Sequence, residues 1–453
     1  MEATVKRGVS HMKKMSRSIV TVSVVILLGL SIRGEAAAEE AADAHPYSGD
    51  FFTRSTLTGD WVGARNELAS KGITLDLSLT QIGQGVVSGG KDGTWEYGGR
   101  GNLTGNLDTQ KLGLWPGGFL TVELEGNWSD AVNGKTGALS PVNTNQLFPL
   151  PIGDNVALPA LNFAQFVSPY VGGVVGKLDV MSADNNEFAH GKYGKGDTQF
   201  LNTAFNVNPV TLMAPYSTLG TGVIVLPTKD PNEAIVSFLV LSATGKPTTD
   251  GFDNLNGAIF AGEGRVRTDF LGLTGHQLVG GMYSNKEYTS IDQRLGFAID
   301  NRALAKKDGT WAVYYNFDQF LYETDKSAGK GIGLFGRFGA SEGNPIPAQY
   351  MYSLGVGGKG LIPTRDLDRF GIGYYYLSIN NPTLQVPIIG TRSFLRDEWG
   401  FEAFYNVAIT PWLLLTPDVQ VIGPTQKRRF VSLASRESVD MATVLGFRLQ
   451  VVF

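Results

Sequence analysis

The chain predicts an all-β fold, a transmembrane antiparallel up-and-down β-barrel with a short N-terminal helix, and three observations point there. The last thirteen residues, Met441 to Phe453, place Thr443, Leu445, Phe447, Leu449, Val451 and Phe453 on one face and Gly446, Arg448 and Gln450 on the other. A strand that stops flush on a phenylalanine is expected where its last ladder position is paired and the ring sits at a lipid interface. Period-two stretches recur along the chain with no extended helical pattern between them, which disfavours a parallel α/β sheet. An N-terminal export signal precedes them all.

The elements follow in order. Lys6, Arg7, Lys13, Lys14 and Arg17 lead into an apolar run from Ile19 to Ile32, and Ala36-Ala37-Ala38 follows it. This reads as a signal peptide over 1–38, cleaved after Ala38, with Met12 or Met15 as the better start. The run is shorter than the about 20 residues of a spanning helix. Residues 39–72 form a leader and one helix over Leu57–Gly72, with Thr58 or Asp60 near its start and Gly72 at C′. Trp61, Ala64 and Leu68 share a face of that helix, which is expected to dock by packing. Residues 73–453 form the barrel.

From Ile73 onward Ile73, Leu75, Leu77 and Leu79 alternate with Thr74, Asp76, Ser78 and Thr80. Across a hairpin at Gly89–Gly93, Tyr97, Leu103 and Leu107 oppose Arg100, Asn102, Thr104, Asn106 and Asp108. Leu120, Val122, Leu124 and Trp128 then oppose Thr121, Glu123, Glu125 and Asn127. Further strands are expected near 256–270, 276–287, 311–323, 331–339, 369–379 and 397–409. The last strand, 441–453, is expected to pair with the first.

Composition agrees. Glycine reaches 58 of 453 residues, above the usual level of about 7%. It recurs inside apparent strands, as in Gly331-Ile-Gly333 and Gly371-Ile-Gly373, where a curved sheet or a close backbone approach uses it. Aromatic residues make up 11% of the chain, enough for the two girdles of a membrane barrel. Cysteine is absent, so neither a disulfide scaffold nor thiolate chemistry is available. Removing the six basic and two acidic residues of 1–38 takes the formal charge from −4 to about −8. That argues against nucleic acid as a partner and offers no cationic field for anions.

Glu263, Arg265, Arg267 and Asp269 share one face of a strand, opposite Ala258, Phe260, Val266 and Phe270. In a soluble sandwich this row would face water. In a membrane barrel it must face the lumen, because Arg or Lys against mid-bilayer lipid costs about 2–4 kcal/mol. Such a lumen is expected to be wet, a pore rather than an apolar pocket.

Several segments resemble the signature stretches of the carbohydrate-selective porins, the OprB family. They are Leu57-Thr-Gly-Asp-Trp-Val-Gly-Ala-Arg65, Phe200-Leu-Asn-Thr-Ala-Phe205, Gly360 to Tyr374, Ala408 to Ile422 and Leu445 to Phe453. The likeness runs from about residue 50 to the terminus, with one departure at Val62, where the family favours Gly. It implies about 16 antiparallel strands, outer loops that fold inward to narrow the lumen, and single barrels able to work as monomers. It further implies passive uptake of monosaccharides and small oligosaccharides across the outer membrane of a Gram-negative bacterium. Neither cofactor nor energy source is needed.

A sugar offers hydroxyl edges to carboxylates, amides and guanidinium groups, and binding must stay weak enough for release. Lumen candidates on that logic are Arg100, Asp108, Glu123, Glu125, Asn127, Glu263, Arg265 and Arg267. Each also has a structural reading, as part of an ion-pair ladder bracing the wall. The polar segment from Met181 to Gly196 adds Asp184, Asn185, Asn186 and Glu187 as inward-loop candidates. Their clustered oxygens lack the ligand spacing of a cation loop, so no metal is assigned. The partners expected are carbohydrate solutes, outer-membrane lipid and the barrel-assembly machinery, reached through the strand ending at Phe453.

Catalysis finds no support. Glu123 and Glu125 are a carboxylate pair, but i and i+2 on a strand lie side by side on one wall and do not flank a glycosidic bond. Gly355-Val-Gly-Gly-Lys-Gly360 matches a dinucleotide motif in letters, yet it precedes Leu-Ile-Pro363 and opens no helix, so it reads as a hairpin or loop. His11, His45, His190 and His276 make no pair at metal-ligand spacing. Three classes of reading stand: a sugar-selective pore, a general or differently selective porin, and a secreted all-β hydrolase or lectin.

Overall fold

The computed structural model describes residues 47–149, 156–181, 186–190, 195–249, 251–252, 255–294, 303–381, 384–386, 390–392, 395–430 and 436–453. The expected signal peptide and two of the loop candidates, Asp184 and Asn185, lie outside the described residues.

Among the described residues, sixteen antiparallel strands close into a barrel in sequence order. They are β1 Ile73–Gly90, β2 Trp95–Asp108, β3 Gly118–Ser129, β4 Val156–Ser168, β5 Val171–Asp179, β6 Ser217–Val225, β7 Ala234–Ser242 and β8 Ala258–Phe270 in the first half. The second half comprises β9 Leu273–Thr289, β10 Lys306–Asp325, β11 Lys330–Ser341, β12 Ala348–Lys359, β13 Arg369–Ile379, β14 Glu398–Thr410, β15 Leu413–Gly423 and β16 Asp440–Val452. As expected, β16 returns to β1, with Ser78 opposite Val452 and Thr80 opposite Gln450. Phe453 then donates its N–H to the Leu77 carbonyl at 2.8 Å. Closure leaves no open edge, the condition for a sheet in lipid.

The two faces of the sheet differ as the alternation predicts. Leu445 and Phe447 point out and are exposed, whereas Val444, Arg448 and Gln450 point in and are buried. Val240, Phe260, Val279, Val313, Leu354, Ile372 and Phe401 extend the outward apolar surface round the wall. This is a lipid-facing band. Turns as short as Pro169-Tyr170, Leu271-Gly272 and Pro411-Trp412 join strands at one end, and long segments join them at the other.

Two parts of the barrel differ from the sequence reading. Only Gly360 of the Gly355–Gly360 segment enters a turn: Gly355 and Gly357 lie inside β12, and their inward positions are taken up by neighbouring rings. Strands β4 to β7 carry weak alternation because Val174, Ile224, Leu239 and Leu241 point inward yet are apolar. Their lumen side packs against protein, so both faces are hydrophobic and the period of two fades.

The N-terminal segment fastens the closing seam. Leu57 donates its N–H to the Val452 carbonyl at 2.7 Å, and Trp412 Nε1 donates to the Phe51 carbonyl at 2.8 Å. The helix is shorter than expected, Ala64–Ser70. Trp61, Val62 and Gly63 precede it with φ of 51°, 60° and 94°, a run of left-handed residues that cannot extend a right-handed helix. Its docking face differs too: Trp61 and Ala64 are exposed, and Arg65 and Asn66 are buried. Arg65 donates to Thr56 Oγ1 at 3.0 Å and to the Leu75 carbonyl at 2.6 Å, under the Tyr47 ring. So short a helix anchors through one guanidinium rather than an apolar stripe.

Val62 is fully exposed, so its side chain contributes no packing while its β-branched backbone sits in the left-handed region. Val62→Gly is therefore expected to stabilise the folded barrel by about 1 kcal/mol, as strain of this kind costs of order 1–3 kcal/mol. The heat-modifiable transition on unboiled gels should shift upward, and an unchanged midpoint would remove the strain argument.

Candidate functional site

Between β5 and β6, residues 186–190 and 195–210 pack against the inward face of the wall, and their anchoring begins with local sequence. Asn202 caps the short helix Thr203–Asn206 by accepting from the Ala204 N–H, and Asn208 caps the turn Pro209–Thr211 by accepting from Val210. Both asparagines are buried, so these caps satisfy backbone groups that water cannot reach. The helix presents Phe205, and Phe200 precedes it. Both rings are fully buried, 4.5 Å apart between centroids.

The wall that receives them is floored with glycine. Gly333, Gly357 and Gly371 stand in one row across β11, β12 and β13, and Gly355 faces Gly373 in the next. A Cβ at Gly333 would lie 2.4 Å from the Phe188 ring, one at Gly371 2.9 Å from Phe200, and one at Gly373 2.6 Å from Phe205. The in-strand glycines noted in the sequence thus make room for loop phenylalanines. Phe335, Tyr375 and Phe404 surround them, with Phe200 to Phe404 at 4.9 Å and Phe205 to Tyr375 at 5.7 Å. Burying each such ring is worth about 1.5–3 kcal/mol. Part of the lumen is therefore dry core, a correction to the expectation of a uniformly wet pore.

Carboxylates on β14 hold the inward chain by its backbone. Glu402 accepts from the N–H groups of Leu201 and Asn202, the second at 2.8 Å. Four residues earlier Glu398 accepts from the Ser140 N–H at 3.0 Å, Thr425 Oγ1 at 2.6 Å and the Tyr375 hydroxyl at 3.0 Å.

Further round the wall, on β2 and β3, four sequence candidates meet. Arg100 Nη2 pairs with Glu125 Oε1 at 2.5 Å, and Asn102 donates to Glu123 Oε1 at 2.6 Å. Asn127 donates to the Pro149 carbonyl at 3.2 Å. Into this wall comes Lys195 of the inward segment. Its ammonium contacts Glu125 and lies 2.5 Å from Asp179 and 3.5 Å from Glu123. Burial works against the charged ammonium, but Asp179, Glu123 and Glu125 outweigh it and hold its pKa above the ordinary lysine value. Arg100, Glu123, Glu125 and Asn127 thus all have protein partners.

The remaining candidates separate. Asp108 caps the turn after β2, accepting from the Gln110 and Lys111 N–H groups at 2.9 and 3.2 Å. Glu263 is buried and accepts from the Tyr314 hydroxyl at 2.9 Å. Arg267 sits beside the β8–β9 turn, paired with Glu233 at 2.7 Å. Asn186 binds Asn316 Oδ1 at 2.7 Å and the Phe317 carbonyl at 3.0 Å. Only Arg265 and Glu187 remain half-buried with side chains unengaged by hydrogen bonds among the described residues. Arg369, which sequence reasoning missed, joins them; Lys359 and His276 lie in the same electrostatic neighbourhood but are bonded to the Ala328 carbonyl and to Asp318, each at 2.7 Å. Arg448 turns inward as expected, but donates to the Gly196 carbonyl at 2.6 Å instead of meeting water. Lys195, Glu398 and Glu402 were also missed; the Phe200–Phe205 signature was the available signal for the anchored loop.

The barrel, its plug and its charged lumen can now be set beside known proteins. The model of the carbohydrate-selective porin, OprB family, matches residues 93–453. The chain belongs to the OprB family of carbohydrate-selective porins. It is a sugar-selective channel of the Gram-negative outer membrane, from a family of channels and not of enzymes. Its fold is similar to that of Pseudomonas putida OprB at high pH, with a TM-score of 0.73, 20% identity and coverage of 89% of this chain and 100% of that one. The low-pH structure of the same P. putida protein matches with a TM-score of 0.54, 18% identity and coverage of 89% and 99%. Among curated proteins, none matches the sequence.

Glu402→Ala in this OprB-family channel leaves two buried N–H groups without their carboxyl acceptor, a loss of about 3 kcal/mol. Amide exchange over 200–206 is expected to accelerate about a hundredfold, with β8 unchanged. Equal protection in both proteins would show that the phenylalanines alone hold the plug.

Proposed function

We propose that sugar discrimination resides where Glu187, Arg265 and Arg369 border the lumen. The observation that carries this is the state of the two guanidinium groups. Arg265 and Arg369 are half-buried and make no hydrogen bond or ion pair among the described residues, and Arg265 Nε is buried without a partner. Elsewhere in the lumen Arg100 and Arg448 have both terminal nitrogens engaged, although the Nε of each is likewise buried without a partner. Glu187 lends both free guanidiniums its field without a direct bond. Burial pushes its own carboxyl up, and Arg369 opposes that rise.

A monosaccharide fits this chemistry. Forked guanidinium donors meet pairs of sugar oxygens, and the Glu187 carboxylate accepts from a hydroxyl. On the other wall Asp76, Thr104, Asn106 and Thr121 point inward with partial exposure, offering further hydroxyl, amide and carboxylate groups. Each contact is replaceable by water, which keeps binding weak and lets solute move down its gradient. Monosaccharides and small oligosaccharides are the proposed cargo, carried by a single barrel acting as a monomer in outer-membrane lipid.

In liposome swelling, glucose should enter faster than an amino acid or a sugar alcohol of similar size, and equal rates would favour a general porin. Replacing both Arg265 and Arg369 by Ala should raise the half-saturating glucose concentration roughly tenfold, the loss expected from one or two charged hydrogen bonds. We also assign to Phe453 a role in engaging the barrel-assembly machinery. Deleting it should lower the amount of folded barrel without changing single-channel conductance, and wild-type levels would refute the assignment.

A further inference from the structure

Three consecutive residues of the inward segment, Lys195, Gly196 and Asp197, are each held by a different charged group of the barrel wall. Lys195 enters the space between Glu123, Glu125 and Asp179, whose ligand atoms all lie within 4.8 Å of one another. The rings of Phe148 and Tyr216 flank the ammonium at 5.6 and 5.4 Å. Gly196 offers its carbonyl to Arg448 Nη1 at 2.6 Å. Asp197 accepts from Asn145 at 2.5 Å and lies 3.4 Å from Arg100 Nη1. Lys195 and Asp197 are 0% and 2% exposed.

The backbone of this turn is unusual. Lys195 and Gly196 both adopt left-handed conformations, with φ of 52° and 76°. A lysine there is strained, and such strain persists only where the surroundings over-determine it. The three carboxylates resemble the oxygen cage of a hard-cation site, but the chain supplies its own cation. The same segment reaches Glu187 through Gln199, whose Nε2 donates to the Glu187 carbonyl at 2.7 Å. Glu187 is also tied to the wall by its N–H, which donates to Asp318 Oδ2 at 3.1 Å.

We propose that Lys195 is the positioning residue of the channel: its ammonium, seated among Glu123, Glu125 and Asp179, pins the inward segment and so sets the aperture and the reach of Glu187. The aperture claim stands on the ion cluster alone; the effect on sugar rests also on the reading of Glu187, Arg265 and Arg369 given above. With the pin gone, Glu125 keeps its pairing with Arg100 but the cluster loses the cation shared by all three carboxylates, and the 195–197 turn loses its attraction to the wall.

The test uses purified full-length channels in planar bilayers, after unboiled gels confirm a folded barrel. Lys195→Met should raise single-channel conductance at least twofold, bring frequent brief closures, and raise the glucose concentration for half-maximal current block at least fivefold. Lys195→Arg, which keeps the cation, should restore conductance to within about a third of wild type. Asp197→Asn, which keeps shape and removes only the charge facing Arg100, supplies a second variant should the first fail to fold, and should raise conductance in the same direction. In Lys195→Met the vacated carboxylates should bind Tb³⁺, with luminescence sensitised by Tyr216 and absent from wild type, and the added ion should return conductance toward the wild-type value. Wild-type conductance in folded Lys195→Met overturns the proposal whatever happens to sugar block. Loss of conductance control in Lys195→Arg as severe as in Lys195→Met also overturns it. If wild-type current shows no glucose block at all, the sugar-site reading falls, and the conductance comparison still decides the pin.

Discussion

The pairing of every backbone group within the wall is the constraint from which the rest of this structure follows. Lipid offers no substitute hydrogen-bond partner, so a sheet at membrane depth must close, and the ladder between β1 and β16 closes it. Antiparallel neighbours joined in sequence order are the simplest way to do so. Closure also fixes the sidedness of each strand, because residues facing lipid must be apolar and alternate residues are left for the lumen. The N-terminal segment contributes at the same seam, with Leu57 bonded to Val452 and Phe51 lying over Trp412.

A sixteen-stranded wall encloses more space than a monosaccharide needs, since barrels of this size otherwise leave a broad aqueous channel. The interior is narrowed by two kinds of contact on separate stretches of the wall. On β11 to β14, glycine rows admit Phe188, Phe200 and Phe205, and Glu398 and Glu402 bind inward backbone amides. On β2 and β3, charged side chains grip Lys195 and Asp197. The first contact joins apolar ring burial to hydrogen bonds between carboxylates and backbone amides. The second is ionic and buried, so removing one partner leaves an uncompensated charge, which is the expensive way to break such a cluster.

This division explains why so many polar lumen residues are unavailable to solute. Arg100, Glu123 and Glu125 have the chemistry of a sugar site, yet their atoms are committed to one another and to Lys195. Arg265 and Arg369 have no such commitment among the described residues. Selectivity in a narrowed channel depends on the few groups left unpaired, because a group already satisfied by protein gains little by turning to a sugar.

The closed barrel, its lipid face and the pairing of the last strand with the first were legible in the sequence, because an alternation of period two leaves a direct trace wherever one face meets lipid. The trace faded over β4 to β7, whose inward residues pack on the plug, and over the glycines of β12, which look like a loop until a ring is placed against them. Tertiary structure alone decided which lumen charges are free. Arg265 and Arg267 are two residues apart on the same strand and equivalent by sequence, but one stands unpaired and the other meets Glu233. The grip on Lys195 is likewise invisible in the chain, since Asp179 and Glu123 reach it from strands far apart in sequence. Local pattern records which side of the wall a residue faces; which partner waits there depends on how a distant segment folds across the lumen.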